Sequence, residues 1–325
     1  MQTTKVMVFG LGYIGRMLVE AILSENPFWN RQLSLVGAVD IVPESRAWLE
    51  KKEVPAYHSL TELLKKIQPE VCIHTTASSL SVVVAQLKDL IAAKIPVVSS
   101  TEELFFPWVQ NPGIASELNE LCLSNQVAVM GTGANPGFIM DVLPAVTTQV
   151  VQTVELIKVT RIVNASTRRP PLQKKIGAGL DEATFRSYVA SKKIGHVGLM
   201  ESIDFLASYM GWQLSNKGQT IEPILAPKAL RTQVVQISKG KVCGLHHTAW
   251  GEMERKRVIE LDLKIALNEA NPEDHILIKG NPPFSLKVEG GTAGDPATVA
   301  TLLRGIPIVL NSKPGIVKRL SRVFT

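Results

Sequence analysis

The sequence predicts an α/β protein: a doubly wound parallel sheet followed by a second domain of the α+β class. Three observations predict it. Apolar strand-like runs alternate with helically spaced apolar residues in the N-terminal part of the chain, and a glycine-rich turn joins the first strand to the first helix. Beyond about Val150 the pattern changes to runs that alternate apolar with polar residues. Strands alternating with helices imply parallel pairing through right-handed crossovers, whereas alternation within a run marks half-buried antiparallel strands.

The first strand, Lys5-Val6-Met7-Val8-Phe9, ends in Gly10-Leu11-Gly12-Tyr13-Ile14-Gly15, after which Ile14, Met17, Leu18, Ala21 and Ile22 recur at helical spacing. This is the Rossmann pattern for a dinucleotide. The first glycine permits the tight turn, the second lets backbone N–H groups reach a pyrophosphate, and the third lets helix and strand pack closely. The phosphate rests on the positive end of the helix, so Gly10, Gly12, Tyr13, Ile14 and Gly15 are the candidate cofactor residues.

A second strand, Leu35–Val39, ends at Asp40, where a carboxylate either meets the adenosine ribose or caps a helix before Pro43. The interval from Gly15 exceeds the usual ~20 residues, and the polar stretch Asn26–Arg31 absorbs the excess. An acid here repels a 2′-phosphate and Ile41-Val42 bring no cation, so NAD is the expected cofactor, with NADP the second choice.

Ser59 and Glu62 have capping-box spacing ahead of Leu63, Leu64 and Ile67. Strands then follow at Val71–Thr76, Ile95–Val98 and Val127–Met130, separated by helices around Val82–Ala93 and Ile114–Cys122. Ligands of such sheets bind at the carboxyl ends of strands, which selects the loops Thr75–Ser79, Ser99–Glu103 and Gly131–Gly137. In the first of these, Thr76 and Ala77 are candidate cofactor contacts.

In the second loop, Glu102 and Glu103 lie among Phe105, Phe106 and Trp108. An apolar surround raises a carboxylate toward general-base range; alternatively Thr101 caps a helical turn whose first positions favour acids. In the third, Asn135 offers a donor and an acceptor to a nicotinamide carboxamide or a substrate amine, although Asn-Pro-Gly also reads as a plain turn. A helix is expected from about Ile139–Asp141.

The second domain is read from Val154–Thr160, Gln233–Ile237 and Val258–Leu263 as strands, with Ile203–Ala207 helical. The expected division is a dinucleotide-binding domain at 1–145, a substrate and dimerisation domain at 146–292, and a C-terminal helix, 293–325, packing back on the first. Hydrophobic residues at 45% and charged residues at 20% fit a globular chain. No apolar run reaches the ~18 residues of a membrane span and Met1–Thr4 lead straight into a strand, so a cytoplasmic protein is expected.

Three scattered cysteines, Cys72, Cys122 and Cys243, exclude a disulfide framework and a C-x-x-C metal site. The net charge of +6 comes without a nucleic-acid reading motif. His246-His247 lacks a third ligand and reads as a loop, so no metal is expected. Arg168-Arg169 with Lys174-Lys175 reads as a solvated turn, or as one that orders a loop over the cofactor.

The run Gly131-Thr132-Gly133-Ala134-Asn135-Pro136-Gly137-Phe138-Ile139-Met140-Asp141, with Thr101-Glu102-Glu103-Leu104 before it, resembles the family of 2,4-diaminopentanoate and native amine dehydrogenases, which is related to dihydrodipicolinate reductase. The segments Asn164–Gly179, Gly195–Ser202 and Gly290–Asp295 extend the likeness over nearly the whole chain.

The resemblance implies reversible oxidative deamination of a primary amine or diamine with NAD(P), reductive amination in reverse, by a homodimer. It assigns catalysis to the Glu102-Glu103 pair, with Glu102 preferred and Glu103 at the substrate; a threonine, Thr101, stands where the family more often has cysteine. It also places His196 in the substrate pocket, with Phe138 and Met200 as walls, residues that otherwise read as core. Two alternatives remain: an imine reductase like dihydrodipicolinate reductase, whose histidine-rich stretch followed by lysine is absent here, and a non-catalytic NAD sensor.

Overall fold

The computed structural model describes residues 3–24, 32–168 and 170–320. Asn26–Arg31 and Arg169 lie outside the described residues. The chain divides into two compact units, one of Met1–Phe138 with Ala293–Arg319 and the other chiefly of Ile139–Thr292; the division falls at Phe138, not after residue 145.

The first unit begins β1 (Thr4–Phe9), α1 (Tyr13–Leu23), β2 (Leu33–Val39), α2 (Pro43–Glu50), β3 (Ala56–Tyr57), α3 (Leu60–Leu64), β4 (Val71–His74), α4 (Leu80–Ala92) and β5 (Val97–Ser99). A single 3-10 turn, Glu102–Leu104, then leads to α5 (Pro107–Gln110), α6 (Pro112–Asn125) and β6 (Ala128–Gly131). In the second unit follow α7 (Val142–Thr147), β7 (Thr153–Asn164), α8 (Pro170–Lys175), α9 (Glu182–Ala190), α10 (Leu199–Met210), β8 (Asn216–Leu225), β9 (Leu230–Arg231), β10 (Gln236–Ile237), β11 (Val242–Met253), β12 (Lys256–Ala266), β13 (Glu273–Asn281) and β14 (Phe284–Glu289). The chain returns to the first unit as α11 (Gly294–Asn311) and β15 (Gly315–Ile316).

The first unit's sheet runs β15-β6-β5-β4-β1-β2-β3, with every pair parallel. Both faces are buried, and the two-residue period of a strand decides which side chain serves which face. Met7, Cys72, Val97 and Val129 join Leu87, Leu90 and Leu118 of α4 and α6 on one side. Val6, Ile73, Val98 and Met130 join Leu18 of α1 and Leu302, Leu303 and Ile306 of α11 on the other. The C-terminal helix thus covers the sheet, but it ends at Asn311, and the tail beyond contributes an edge strand. At Gly305 a Cβ would sit 2.6 Å from Val98, so the glycine sets how closely α11 lies on β5.

Ser59 caps α3 by accepting from Glu62 N, while the Glu62 carboxylate reaches back to His58 N, one residue beyond the capping-box partner Ser59 N.

The second unit's sheet runs β14-β13-β7-β12-β11-β8. All its pairs are antiparallel except β7 with β12, which are parallel. Gln233–Ile237 is not a strand of this sheet; only Gln236–Ile237 pairs, with the two residues of β9. His246 and His247 lie inside β11 rather than in a loop, so alternation turns them to opposite faces. His247 is buried and His246 meets Asp262 at 2.8 Å on the other face.

One buried ion pair anchors this unit. Arg161 Nη1 donates to both carboxylate oxygens of Asp274, at 2.8 and 2.9 Å, and Nη2 donates to Thr292 O at 2.8 Å. Thr292 N donates in turn to Asp274 Oδ2. The pair side chains are 5% and 1% exposed, so removing one partner strands a buried charge. Asp274→Ala is expected to lower the unfolding free energy by about 3–5 kcal/mol, read from chemical denaturation, whereas the exposed Glu182→Ala should change it by under about 1 kcal/mol.

Candidate functional site

The glycine turn is built by backbone proximity. Gly10 has φ +99°, and a Cβ there would meet Thr75 O at 2.8 Å; on Gly15 it would lie 1.9 Å from Gly10 O. Thr75 Oγ1 donates to that same Gly10 carbonyl at 2.7 Å. Gly12 differs: a Cβ there meets nothing within 4 Å, and Gly12 opens α1 without a side-chain cap. Two glycines are thus required by the protein itself, and the third leaves an open surface at a helix N-terminus. That cradle fits a dinucleotide pyrophosphate.

Asp40 stands at the carboxyl end of β2. Its Oδ2 accepts from Leu11 N at 2.5 Å and its Oδ1 from Val42 N at 2.8 Å, so it ties the glycine turn to the entry of α2, which Val42 caps. Cations are closer than Ile41-Val42 suggest. Arg46 Nη1 donates to Asp40 O at 2.7 Å, and Arg16 Nη2 donates to Ser45 Oγ at 3.2 Å with its guanidinium over the Trp48 ring. Helical periodicity brings both arginines in from outside the strand-end motif.

At the ends of β4 and β5 a polar network was not foreseen. His74 is fully buried; Nδ1 lies 2.9 Å from Ser99 Oγ, and Nε2 lies 2.9 Å from both the Gln86 carboxamide and Thr76 Oγ1. Ser99 Oγ donates to Thr101 Oγ1 and accepts from Thr101 N, and Thr101 Oγ1 donates to Ala77 O at 2.9 Å. Thr101 therefore does not cap the 3-10 turn. Thr76 is exposed and Ala77 half-buried, and both belong to this network.

The two carboxylates part ways. Glu103 Oε2 accepts from Leu80 N at 2.6 Å and Ser79 Oγ at 3.0 Å, at the N-terminus of α4, and Glu103 N donates to Ser78 O. Helix N-termini favour such anions. Glu103 thus caps α4 as an anion. Glu102, half-buried at the head of the turn, stands above buried Leu104, Phe105 and Phe106. A Cβ on Gly131 would lie 2.5 Å from Leu104 C, so the end of β6 abuts this turn backbone to backbone.

The loop after β6 is held from several sides. Thr132 N donates to Ser99 O and Thr132 Oγ1 accepts from Arg319 Nη1 at 2.6 Å. Ala134 N donates to Thr298 Oγ1 of α11 at 3.2 Å. Gly137, at φ +127°, leaves no room for a Cβ beside Gly133 N, 2.1 Å away. Asn135 and Phe138 are half-buried in this fixed loop.

In the second unit, Asp141 caps α7 by accepting from Val142 N at 2.6 Å, and its Oδ2 accepts from Ser202 Oγ of α10 at 2.8 Å. Two distant sequence segments, around Asp141 and Gly195–Ser202, are joined by that bond. Met200 lies half-buried in the first turn of α10. The half-buried His196 ring meets His247 edge-on at 5.9 Å. The basic run is not a plain solvated turn: it forms α8, and buried Gln173 donates to Ser166 O and Arg168 O.

Among the described residues no three His, Cys, Asp or Glu side chains cluster as a metal site, and no helix is long and apolar enough to cross a membrane.

Comparison with known proteins adds to this geometry. Residues 138–322 match the model of the 2,4-diaminopentanoate dehydrogenase C-terminal domain family. A curated 2,4-diaminopentanoate dehydrogenase of Acetoanaerobium sticklandii is 28% identical over 97% of this chain and 92% of its own. The structure of an amine dehydrogenase from Mycobacterium smegmatis superposes with TM-score 0.86 at 20% identity, covering 100% of this chain and 98% of the other. A WlbA dehydrogenase from Bordetella pertussis in complex with NADH and UDP-GlcNAcA superposes with TM-score 0.56 at 13% identity, over 97% and 91%.

Burial holds His74 and His247 neutral, with pKa values lowered to about 4. The unfolded chain protonates them near 6.5, so each contributes stability above that pH that is lost as pH falls through 6.5 toward 4. His247→Gln should make the plot of unfolding free energy against pH shallower between pH 6 and 4.5 by about 1.4 kcal/mol per pH unit. An unchanged slope would mean that His247 is charged in the fold.

Proposed function

Because the chain belongs to the 2,4-diaminopentanoate dehydrogenase family, we propose that it is a nicotinamide-dependent amine dehydrogenase, reversibly deaminating a primary amine or diamine to a carbonyl compound and ammonia. One observation carries the assignment of the catalytic acid–base group. Of two adjacent carboxylates at the carboxyl edge of the sheet, where ligands of such folds bind, Glu102 heads the turn after β5, while Glu103 caps the N-terminus of α4. The enzyme acts as a cytoplasmic homodimer, and His196, Phe138 and Met200 serve amine recognition.

A substrate ammonium must lose a proton before its carbon can release hydride, and Glu102 is the acceptor. A nicotinamide dinucleotide held at the Gly10–Gly15 turn would supply the hydride acceptor. Once that proton has passed to solvent, Glu102 is ionised again; it offsets the positive charge of the iminium and takes a proton from the water that hydrolyses it. Asn135 holds an amide or amine in register through its paired donor and acceptor. Glu102→Gln should lower kcat about 10²- to 10⁴-fold with NADH binding unchanged. Glu103→Gln, by contrast, should cost about 0.5–2 kcal/mol of stability and far less turnover. Amine-dependent NADH formation at alkaline pH, on a panel of amines and diamines, reads both. No turnover of any amine despite tight NADH binding would favour a sensor.

The adenosine end supports use of both cofactors. Asp40 suits the ribose hydroxyls of NAD, and Arg46 and Arg16 bring positive charge to the same strand end for a 2′-phosphate. NADPH should quench tryptophan fluorescence with an affinity within about tenfold of NADH. Arg46→Ala should weaken NADPH about 10- to 100-fold, the range for losing a hydrogen bond to a charged group, and NADH under about threefold.

A further inference from the structure

The proton positions in the His74 network follow from counting donors. The Thr101 hydroxyl gives its proton to Ala77 O, so it accepts from Ser99. The Ser99 hydroxyl, its proton thus used, accepts from Thr101 N and is left with one further acceptor site, facing His74 Nδ1 at 2.9 Å. His74 therefore carries its proton on Nδ1. In the neutral ring Nε2 is then an acceptor, which turns the Gln86 amide so that its NH₂ faces both the ring, 2.9 Å away, and Thr76 Oγ1, 2.7 Å away, and frees the Thr76 hydroxyl proton for Nε2 at 2.9 Å. The ring is wedged edge-on against Phe9, centroids 5.7 Å apart, and has no solvent contact.

The network spans two loops. It fixes Thr101, the residue before Glu102, to Ala77 in the loop after β4, while Glu103 binds Ser78, Ser79 and Leu80 of that same loop. Thr132 N joins through Ser99 O. The turn bearing Glu102 thus has its entry oriented by Ser99 and its exit by the α4 N-terminus.

We propose that His74 is a positioning residue which, donating through Nδ1 to Ser99, holds the turn bearing Glu102 in register with the Thr75–Ser79 loop. The catalytic consequence rests on the reading of Glu102 as proton acceptor; the structural one does not. A buried histidine suits this role because a ring nitrogen donates toward β5 while its opposite nitrogen accepts from the β4–α4 loop. Asparagine can reproduce the first bond, its NH₂ standing where Nδ1–H stands; leucine reproduces neither.

The test compares His74→Leu, His74→Asn and Ser99→Ala. Hydrogen exchange of the backbone amides of residues 100–105 should quicken at least tenfold in His74→Leu and Ser99→Ala and stay near wild type in His74→Asn, with NADH affinity within threefold throughout. On the best amine of the panel, kcat should fall about 10- to 100-fold in the first two variants, as expected for a displaced catalytic group, with KM little changed and with activity recovered in His74→Asn. The His74→Leu/Ser99→Ala double variant should be no worse than either single one.

A merely structural role would lower thermal stability and exchange protection across the sheet, and asparagine would not rescue it. Unchanged exchange at 100–105 in Ser99→Ala, the least disruptive variant, overturns the proposal. Full activity of Glu102→Gln would instead overturn the catalytic reading and leave the exchange result standing.

Discussion

At the carboxyl edge of the parallel sheet, main chain lies on main chain with no room for a side chain between. Gly15 meets the Gly10 carbonyl, Gly131 meets the peptide joining Leu104 to Phe105, and Gly137 meets Gly133. Such contacts are stiff: backbone cannot swing aside as a rotamer can, so the loops carrying Glu102 and Asn135 take their positions from the sheet itself. They also carry a cost. Backbone brought this close excludes water, and each N–H and C=O it buries needs a partner. The hydroxyls of Thr75, Ser99, Thr101 and Thr298 are the answer, each placed where a loop peptide would otherwise lack one.

This accounts for the unequal fates of Glu102 and Glu103. A 3-10 turn of three residues cannot aim two adjacent carboxylates the same way. Glu103 is drawn to the N–H of Leu80, while Glu102 heads the turn. The helix gains an anion at its positive end, and the turn gains a second anchor. Capping by Glu103 thus fixes the turn that also carries Glu102.

How much of this was legible in the sequence depends on range. Strands β1, β2, β4, β5 and β6, helices α1, α3, α4, α6 and α11 and the glycine turn follow from local periodicity, whereas α2, β3 and α5 do not show in it. Parallel pairing of β7 with β12 was invisible, because a sheet covered on one face shows the same alternation whichever way its strands run. His246-His247 failed for the opposite reason: two adjacent polar residues mask a strand whose faces they divide. β15, at two residues, carries no periodicity at all. Gly12, Asp40 and the acidic pair were recognisable by position, while His74 passed as one residue of a strand read over Val71–Thr76. Its significance lies in Ser99, on the neighbouring strand, and cross-strand register is not written locally.

Asp40 shows how a strand-end carboxylate is embedded in its surroundings. By its carboxylate it reads as selecting against a 2′-phosphate, and that carboxylate is engaged, bridging Leu11 N and Val42 N. Its carbonyl, however, accepts from Arg46. The same residue thus fixes an anion and a cation within one peptide of each other, and neither moves without the other. The field at that strand end is then set by a dipole rather than by a lone negative charge, and a dipole falls off faster with distance. Repulsion between Asp40 and a phosphate therefore weakens unless the phosphate lies directly on the carboxylate side, while Arg16, held by Ser45 and Trp48, adds positive charge from α1. Rules that read cofactor choice from one acidic residue assume that it stands alone; here it does not.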